Sequence, residues 1–149
     1  MDIVSSAPHI PYFTTSRYRV SAMVDLANPQ KGEFGADLGT GDGRISIAFA
    51  KKGVNMDAFE IDEKLRALTK ENIVKERLEN INLLNKDFWL SNLSKYDIIC
   101  CYPMPDIMGR LEEKLKRELK PGARVVLNYF PFLHWKEKKI KDNIYLYIK

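Results

Sequence analysis

Cysteine and histidine are scarce in this chain, with two of each among 149 residues. His9 and His134 stand far apart and give no metal-ligand spacing, so neither a metal centre nor a histidine base is expected, and both are taken as loop or surface residues. Neither a signal peptide nor a transmembrane run is present, and with only two cysteines a reduced, cytoplasmic setting without membrane attachment is expected. Room for a second domain is also lacking. A chain of this length supports one proper core, here 1–149, with a lid segment and helix over 1–30 and a ligand-binding core over 31–149.

Glycine is modest in number, eight in all, but three fall within five positions in Ala36-Asp37-Leu38-Gly39-Thr40-Gly41-Asp42-Gly43-Arg44. Such a turn allows positive φ and close approach of backbone to a ligand. Asp37 decides which ligand. A dinucleotide site holds pyrophosphate on the amide-rich start of a helix, and a carboxylate there would repel it. Gly43 also follows Gly41 by two residues instead of the three of the dinucleotide fingerprint. S-adenosylmethionine has no phosphate and carries an ammonium and a sulfonium. Asp37 can attract the ammonium while the turn through Gly39, Thr40 and Gly41 passes beneath the methionine part.

The surrounding pattern supplies the required strand, turn and helix. Residues 34–38 read as a buried strand and 44–52 as a helix with Ile45, Ile47, Ala48 and Ala50 available to pack. A second strand over 54–59 ends at Glu60, about 20 residues past the first glycine, the spacing at which an acid meets ribose hydroxyls. Glu60, with Ile61 beside it, is the expected ribose contact. Asp62 is the better helix cap.

Leu65, Leu68, Ile73, Val74 and Leu78 then mark a long helix with a charged outer face, and 82–84 a third strand. Asp87 after it stands where an adenine amino group would arrive, with Phe88 to cover the ring; the alternative is that Asp87 caps the turn towards Ser91. A fourth strand over 96–101 is apolar on both faces, which places the Cys100 and Cys101 thiols in the core on opposite sides. Residues 102–106 break it at the edge where open α/β sheets bind ligands. A helix over 107–120, a strand over 124–129 and an antiparallel hairpin of 136–140 with 144–148 complete an α/β, doubly wound, mostly parallel sheet. Thr15 or Ser16 caps a helix over 17–27, a candidate lid over the cofactor edge.

The glycine turn resembles the first motif of class I S-adenosylmethionine-dependent methyltransferases, whose fold is Rossmann-like. Pro8-His9-Ile10-Pro11-Tyr12, the helix and strand over 111–126, and Phe130-Pro131-Phe132-Leu133-His134-Trp135 are similar to stretches of a narrower group. That group is the protein-lysine methyltransferases that include the archaeal broad-specificity enzyme and the mitochondrial enzymes acting on ATP synthase and on the adenine nucleotide translocase. The resemblance implies cofactor contacts at Asp37, Gly39, Gly41, Glu60, Asp87 and Phe88, with Tyr12 and Thr14 near the methionine end. The mitochondrial relatives carry an apolar N-terminal segment that this chain lacks, so a soluble form like the archaeal one is expected. Asp106 departs from the Gln or Asn that relatives often have, and the Asp/Asn-Pro-Pro-aromatic tetrad of adenine methyltransferases is absent.

Transfer to a lysine amine needs a neutral nucleophile, and a desolvated mouth beside a sulfonium lowers a lysine pKa from about 10.4 towards working pH. Tyr102 and Asp106 are the expected acceptor-site pair, with Asp106 attracting the incoming cation. Tyr12, Phe13, Tyr129, Phe130, Phe132 and Trp135 are further aromatic candidates. For any one of them, packing in the core is the competing assignment. The net charge of +4 and the basic stretch 136–141 raise an RNA methyltransferase as a second reading. Alternating acids and the lack of an aromatic-interleaved platform favour a solvated hairpin face. A cofactor-binding subunit without activity is the third reading.

Overall fold

The structure is a computed structural model and describes residues 15–149. Eleven regular elements follow one another among the described residues: α1 (Arg17–Ala27), β1 (Phe34–Leu38), α2 (Arg44–Lys51), β2 (Asn55–Phe59), α3 (Glu63–Lys75), β3 (Ile81–Leu84), β4 (Ile98–Cys101), α4 (Met108–Glu118), β5 (Arg124–Asn128), β6 (Lys139–Lys141) and β7 (Ile144–Ile148). The strands form a single sheet in the order β3-β2-β1-β4-β5-β7-β6. β1 to β5 run parallel, and β7 enters antiparallel between β5 and β6. The chain winds outward from β1 to β3 and then jumps back to β4 on the other side of β1. The switch point thus lies between β1 and β4, where the loops leaving both strands open a crevice.

The sheet is covered on both faces, and β4 at its centre is buried and apolar throughout. In β4, Ile98 and Cys100 join the side covered by α1 and α2, while Ile99 and Cys101 join the side covered by α4. The adjacent thiols therefore do point opposite ways, and burial pushes both well above the ordinary thiol range. On the first face Met23, Val24, Ala27, Ile45 and Phe49 pack against Met56, Val126 and Ile144. α1 is thereby a member of the helical layer, lying against β5, α2 and β7. Its apolar surface of Val20, Met23 and Val24 is covered by the sheet. Ser16 is the cap, its hydroxyl accepting from the Arg19 amide at 3.3 Å.

The opposite face has α4 as its one helix among the described residues, and irregular chain does the rest. Leu111 and Leu115 fill its centre, flanked by Phe88 and Phe132. Residues 129–138 lie across this side, with Phe132 stacked on Trp135 at 5.6 Å and tilted against Tyr147 at 4.8 Å. That use of the chain shortens the hairpin, whose first strand is Lys139–Lys141 instead of 136–140. Asp142 and Asn143 both take positive φ, 50° and 59°, the turn geometry whose twist matches the flanking strands.

α3 also differs from its expected packing. Leu65 and Thr69 are its buried residues, while Leu68 is half exposed and Val74 is 66% exposed. The helix touches the molecule along a narrow strip, and the most buried position on that strip is polar.

Candidate functional site

β1 delivers Asp37 and Leu38 to the switch point, and the glycine turn begins there. The amides of Gly39 and Thr40 both donate to the Phe59 carbonyl, at 3.0 and 2.9 Å, which ties the turn to the end of β2. Gly43 takes φ +88°, and a Cβ on it would lie 2.8 Å from Cγ2 of Thr69, so only glycine fits between turn and α3. Thr69 uses its other branch productively, donating from Oγ1 to the Gly41 carbonyl at 2.6 Å. Asn72, one turn on, donates to the Asp42 carbonyl at 2.8 Å. α3 is therefore the clamp on the outside of the turn.

Asp37 lies beneath the turn, buried. One carboxylate oxygen accepts from the Thr40 hydroxyl at 2.7 Å and the Ser46 hydroxyl at 2.8 Å. Burial pushes its pKa up to about 6, against the downward pull of those two hydroxyls. A buried carboxylate held near neutrality is readily ionised by an arriving cation.

Glu60 is the second buried acid, also raised by burial. Its two oxygens divide the work: Oε1 accepts from the Gly41 amide at 3.0 Å and Oε2 from the Asp62 amide at 3.2 Å. Each oxygen keeps a lone pair, so the carboxylate can accept from two further hydroxyl donors. Asp62 caps α3 by accepting from the Leu65 amide, which leaves Glu60 free of that duty. Arg66 of α3 secures the segment by donating to the Glu60 carbonyl at 3.1 Å and to Asn85 at 2.9 Å.

These residues meet in one hollow at the ends of β1, β2 and β3, lined by Gly39, Phe59, Glu60, Ile61, Lys86, Asp87 and Phe88. Five of the residues expected at the cofactor come together there. Asp37 and Thr40 do not line it but are bonded to each other in the adjoining turn, and the Gly41 amide donates to Glu60 on its wall. Tyr12 and Thr14, like Phe13 and the Pro8-to-Tyr12 motif, lie outside the described residues. Asp87 fulfils the capping alternative, accepting from the Trp89 amide at 2.9 Å at the start of the one-turn helix Phe88–Leu90, while also standing on the wall of the hollow. A larger groove lies between α1, α2 and α3, lined by mixed charge and reaching Asp42 of the turn.

Sequence reasoning missed Ser46, Thr69 and Asn72. Ser46 had a signal, a polar residue among apolar neighbours in a short buried helix. Thr69 and Asn72 had none, because they reach residues 28 and 30 positions away.

Two aromatic rings meet just past the ends of β4 and β5. Tyr102 is half-buried and its ring lies 5.5 Å from that of Tyr129. Asp106 is exposed on the one-turn helix Pro105–Ile107. Phe132 and Trp135 belong to the core cluster around Tyr147, and Phe130 packs partly buried against it. The Tyr102–Tyr129 pair is thus separate from the aromatics packed around Tyr147.

Among known proteins, a sequence model for the ANTKMT methyltransferase domain matches residues 37–139. The human lysine N-methyltransferase of the ATP synthase C-subunit is 32% identical over 127 residues, covering 85% of this chain and 54% of that protein. A protein-lysine N-methyltransferase of Saccharolobus islandicus is 29% identical, with 97% of both chains covered. The chain therefore spans about half the length of the human relative and nearly all of the Saccharolobus one. Among solved structures, an RNA methyltransferase from Salinibacter ruber in complex with S-adenosyl-L-homocysteine superimposes with a TM-score of 0.83, 25% identity and 91% of each chain covered.

Proposed function

The chain belongs to the ANTKMT methyltransferase domain family, and from that membership we propose that it transfers the methyl group of S-adenosylmethionine to lysine side-chain amines of proteins. The hollow carries the reading. It joins a glycine turn that lets backbone approach a ligand, a buried carboxylate with acceptor capacity for two hydroxyls, and a phenylalanine wall suited to a base. Two buried carboxylates beside the turn suit a cationic donor and oppose pyrophosphate.

When bound, the donor supplies an electrophilic methyl carbon; the amine lone pair forms the new C–N bond as the C–S bond breaks and its electron pair stays on sulfur. The protein's contribution is placement and charge. Asp37 faces the end of the turn where an ammonium would lie, and Glu60 holds the hydroxyl-bearing end. Tyr102 and Asp106 are proposed to receive the acceptor. Asp106, exposed at the rim, draws in the ammonium form, and half-buried Tyr102 offers a desolvated face where the amine loses its proton. No dedicated base is required beyond water at the mouth.

Glu60→Ala removes both acceptor oxygens and the anchor of the Gly41 amide. Calorimetry with S-adenosylhomocysteine should show affinity lower by about 10–100-fold, in line with losing charge-assisted hydrogen bonds in a buried site; wild-type affinity would exclude Glu60 from the site. Asp106→Asn should raise the acceptor KM about three- to tenfold, the range for a rim charge, with cofactor affinity unchanged. An unaltered acceptor KM removes Asp106 from the mechanism.

RNA is the competing acceptor, favoured by the Salinibacter likeness and by the basic stretch 136–141. Labelled methyl groups transferred in a cell extract should be released by protease and resist nuclease; the reverse would move the assignment to RNA. No transfer to either would favour a cofactor-binding subunit. No helix among the described residues is long and apolar enough to cross a membrane. The buried thiols and the full-length match to the Saccharolobus enzyme support an archaeal-type protein acting in the cytoplasm.

A further inference from the structure

Tyr129, the residue after β5, has φ +73°, a conformation that a non-glycine residue keeps only where its surroundings over-determine it. Arg19 of α1 supplies most of that constraint. Its Nε donates to Oδ1 of Asn128 at 2.7 Å, and Asn128 is completely buried. Its Nη2 donates to the Asn143 carbonyl at 3.2 Å, the same oxygen that accepts the Tyr129 amide at 2.8 Å. Its guanidinium carbon lies 3.7 Å above the centre of the Tyr129 ring. One side chain thus grips the residue before Tyr129, the carbonyl that holds its amide, and the ring itself.

The ring so held leans on Tyr102, with 5.5 Å between centroids and a 38° tilt. Register places that pair. Cys101 is level with Leu38 on one side and with Leu127 on the other, so Tyr102 leaves the sheet beside Gly39 and beside Asn128. The pair therefore stands next to the glycine turn, on the side away from the hollow. Burial, and then the neighbouring Tyr129, raise the Tyr102 hydroxyl above its ordinary value, and the Arg19 charge pulls the other way. Among the described residues, the other charged groups on the elements meeting here include Arg17 and Asp25 of α1, Arg124 of β5, Lys141 of β6, Asp142, which accepts from the Tyr18 hydroxyl, and exposed Asp106.

We infer that Arg19 is a positioning residue for the acceptor: stacked on one face of Tyr129, it fixes the Tyr129–Tyr102 pair as the wall of the amine channel and occupies that face so that the incoming side chain is directed to Tyr102. The inference rests on the protein-lysine reading and deepens it. A planar guanidinium meets all three demands at once, ring stacking and two divergent hydrogen bonds, and a lysine at this position would meet one. Because the face is taken, a second cation finds repulsion there, and an amine that has shed its proton is the better guest.

The test uses the full chain, a lysine-bearing protein substrate and S-adenosylhomocysteine. Arg19→Met should raise acceptor KM by about tenfold or more, as expected when a wall loses its support, while calorimetric affinity for S-adenosylhomocysteine stays within about twofold. Arg19→Lys should resemble Arg19→Met, and the double variant with Tyr129→Leu should be no worse than the poorer single one, since both act through one ring. An unchanged acceptor KM in Arg19→Met, full recovery in Arg19→Lys, or equal loss of cofactor affinity would each overturn the assignment. Should Arg19→Met fail to fold, Tyr129→Leu alone reads the same wall: a raised acceptor KM supports it and an unchanged one overturns it. A wild-type enzyme that methylates no lysine-bearing protein defeats the functional reading, whereas an active wild type with an unaffected Arg19→Met defeats only the role of Arg19.

Discussion

Asp37→Asn is expected to remove the part of the pH dependence of cofactor binding that is centred near 6 and to weaken binding at least about tenfold at neutral pH, the scale of one buried charge interaction. In the wild type the carboxyl sits at about 6, raised by burial, against 3.8 for an unhindered aspartate. Below 6 it is mostly protonated and offers an ammonium only a neutral carbonyl acceptor; above 6 it is mostly ionised and attracts one. Affinity for S-adenosylhomocysteine should therefore climb as pH rises through 6, and binding near that pH should release a proton, visible as a buffer-dependent heat. Stability runs the other way. Between 3.8 and 6 the folded protein holds a proton that the unfolded chain has lost, so this group's contribution, present below 3.8, is lost as pH rises through 6. It amounts to about 3 kcal/mol over that window. Thermal melts of the apo protein should show that decline in the wild type and lack it in Asp37→Asn. A variant that binds as tightly as wild type at every pH would end the electrostatic account of cofactor choice.

The second large effect concerns Gly43. Alanine there must adopt φ +88° and place its methyl 2.8 Å from Cγ2 of Thr69. The left-handed conformation costs about 1–2 kcal/mol and the contact about as much again. Gly43→Ala should lower the unfolding free energy by about 2–4 kcal/mol and move the turn that ends at α2. Thr69→Ser separates the two costs. Serine keeps the hydroxyl that holds the Gly41 carbonyl and deletes the offending methyl, so the double variant should regain roughly half the loss, the part due to crowding. Chemical denaturation of the four proteins in the cycle measures it; a double variant no better than Gly43→Ala would show that the turn, not the clash, sets the penalty.

Much of the candidate hollow was readable from residues because its lining is local in sequence. Asp37, the glycines and Glu60 lie at strand ends recognisable from apolar runs, and a parallel strand pair brings such ends together whatever the rest of the chain does. The cap at Asp62 and the turn at Asp142 and Asn143 were likewise encoded nearby. What escaped were contacts across the fold. Leu68 and Val74 looked like core because their spacing suits a helix face, yet α3 meets the protein along Leu65 and Thr69. Phe132 and Trp135 looked like candidates for the mouth, and the long return from β5 to β6 laid them on Tyr147 instead.

The amino-acid order alone determined the parallel sheet, the place of the glycine turn and the acid at each of the first two strand ends, since strand periodicity and turn chemistry act between neighbours. Tertiary structure alone decided that Asp37 is buried and poised near neutrality, that α3 braces the turn through Thr69 and Asn72, and that α1 is a layer helix whose Arg19 grips Tyr129. Burial, and the meeting of side chains distant along the chain, are properties of the assembled core, and no local pattern carries them.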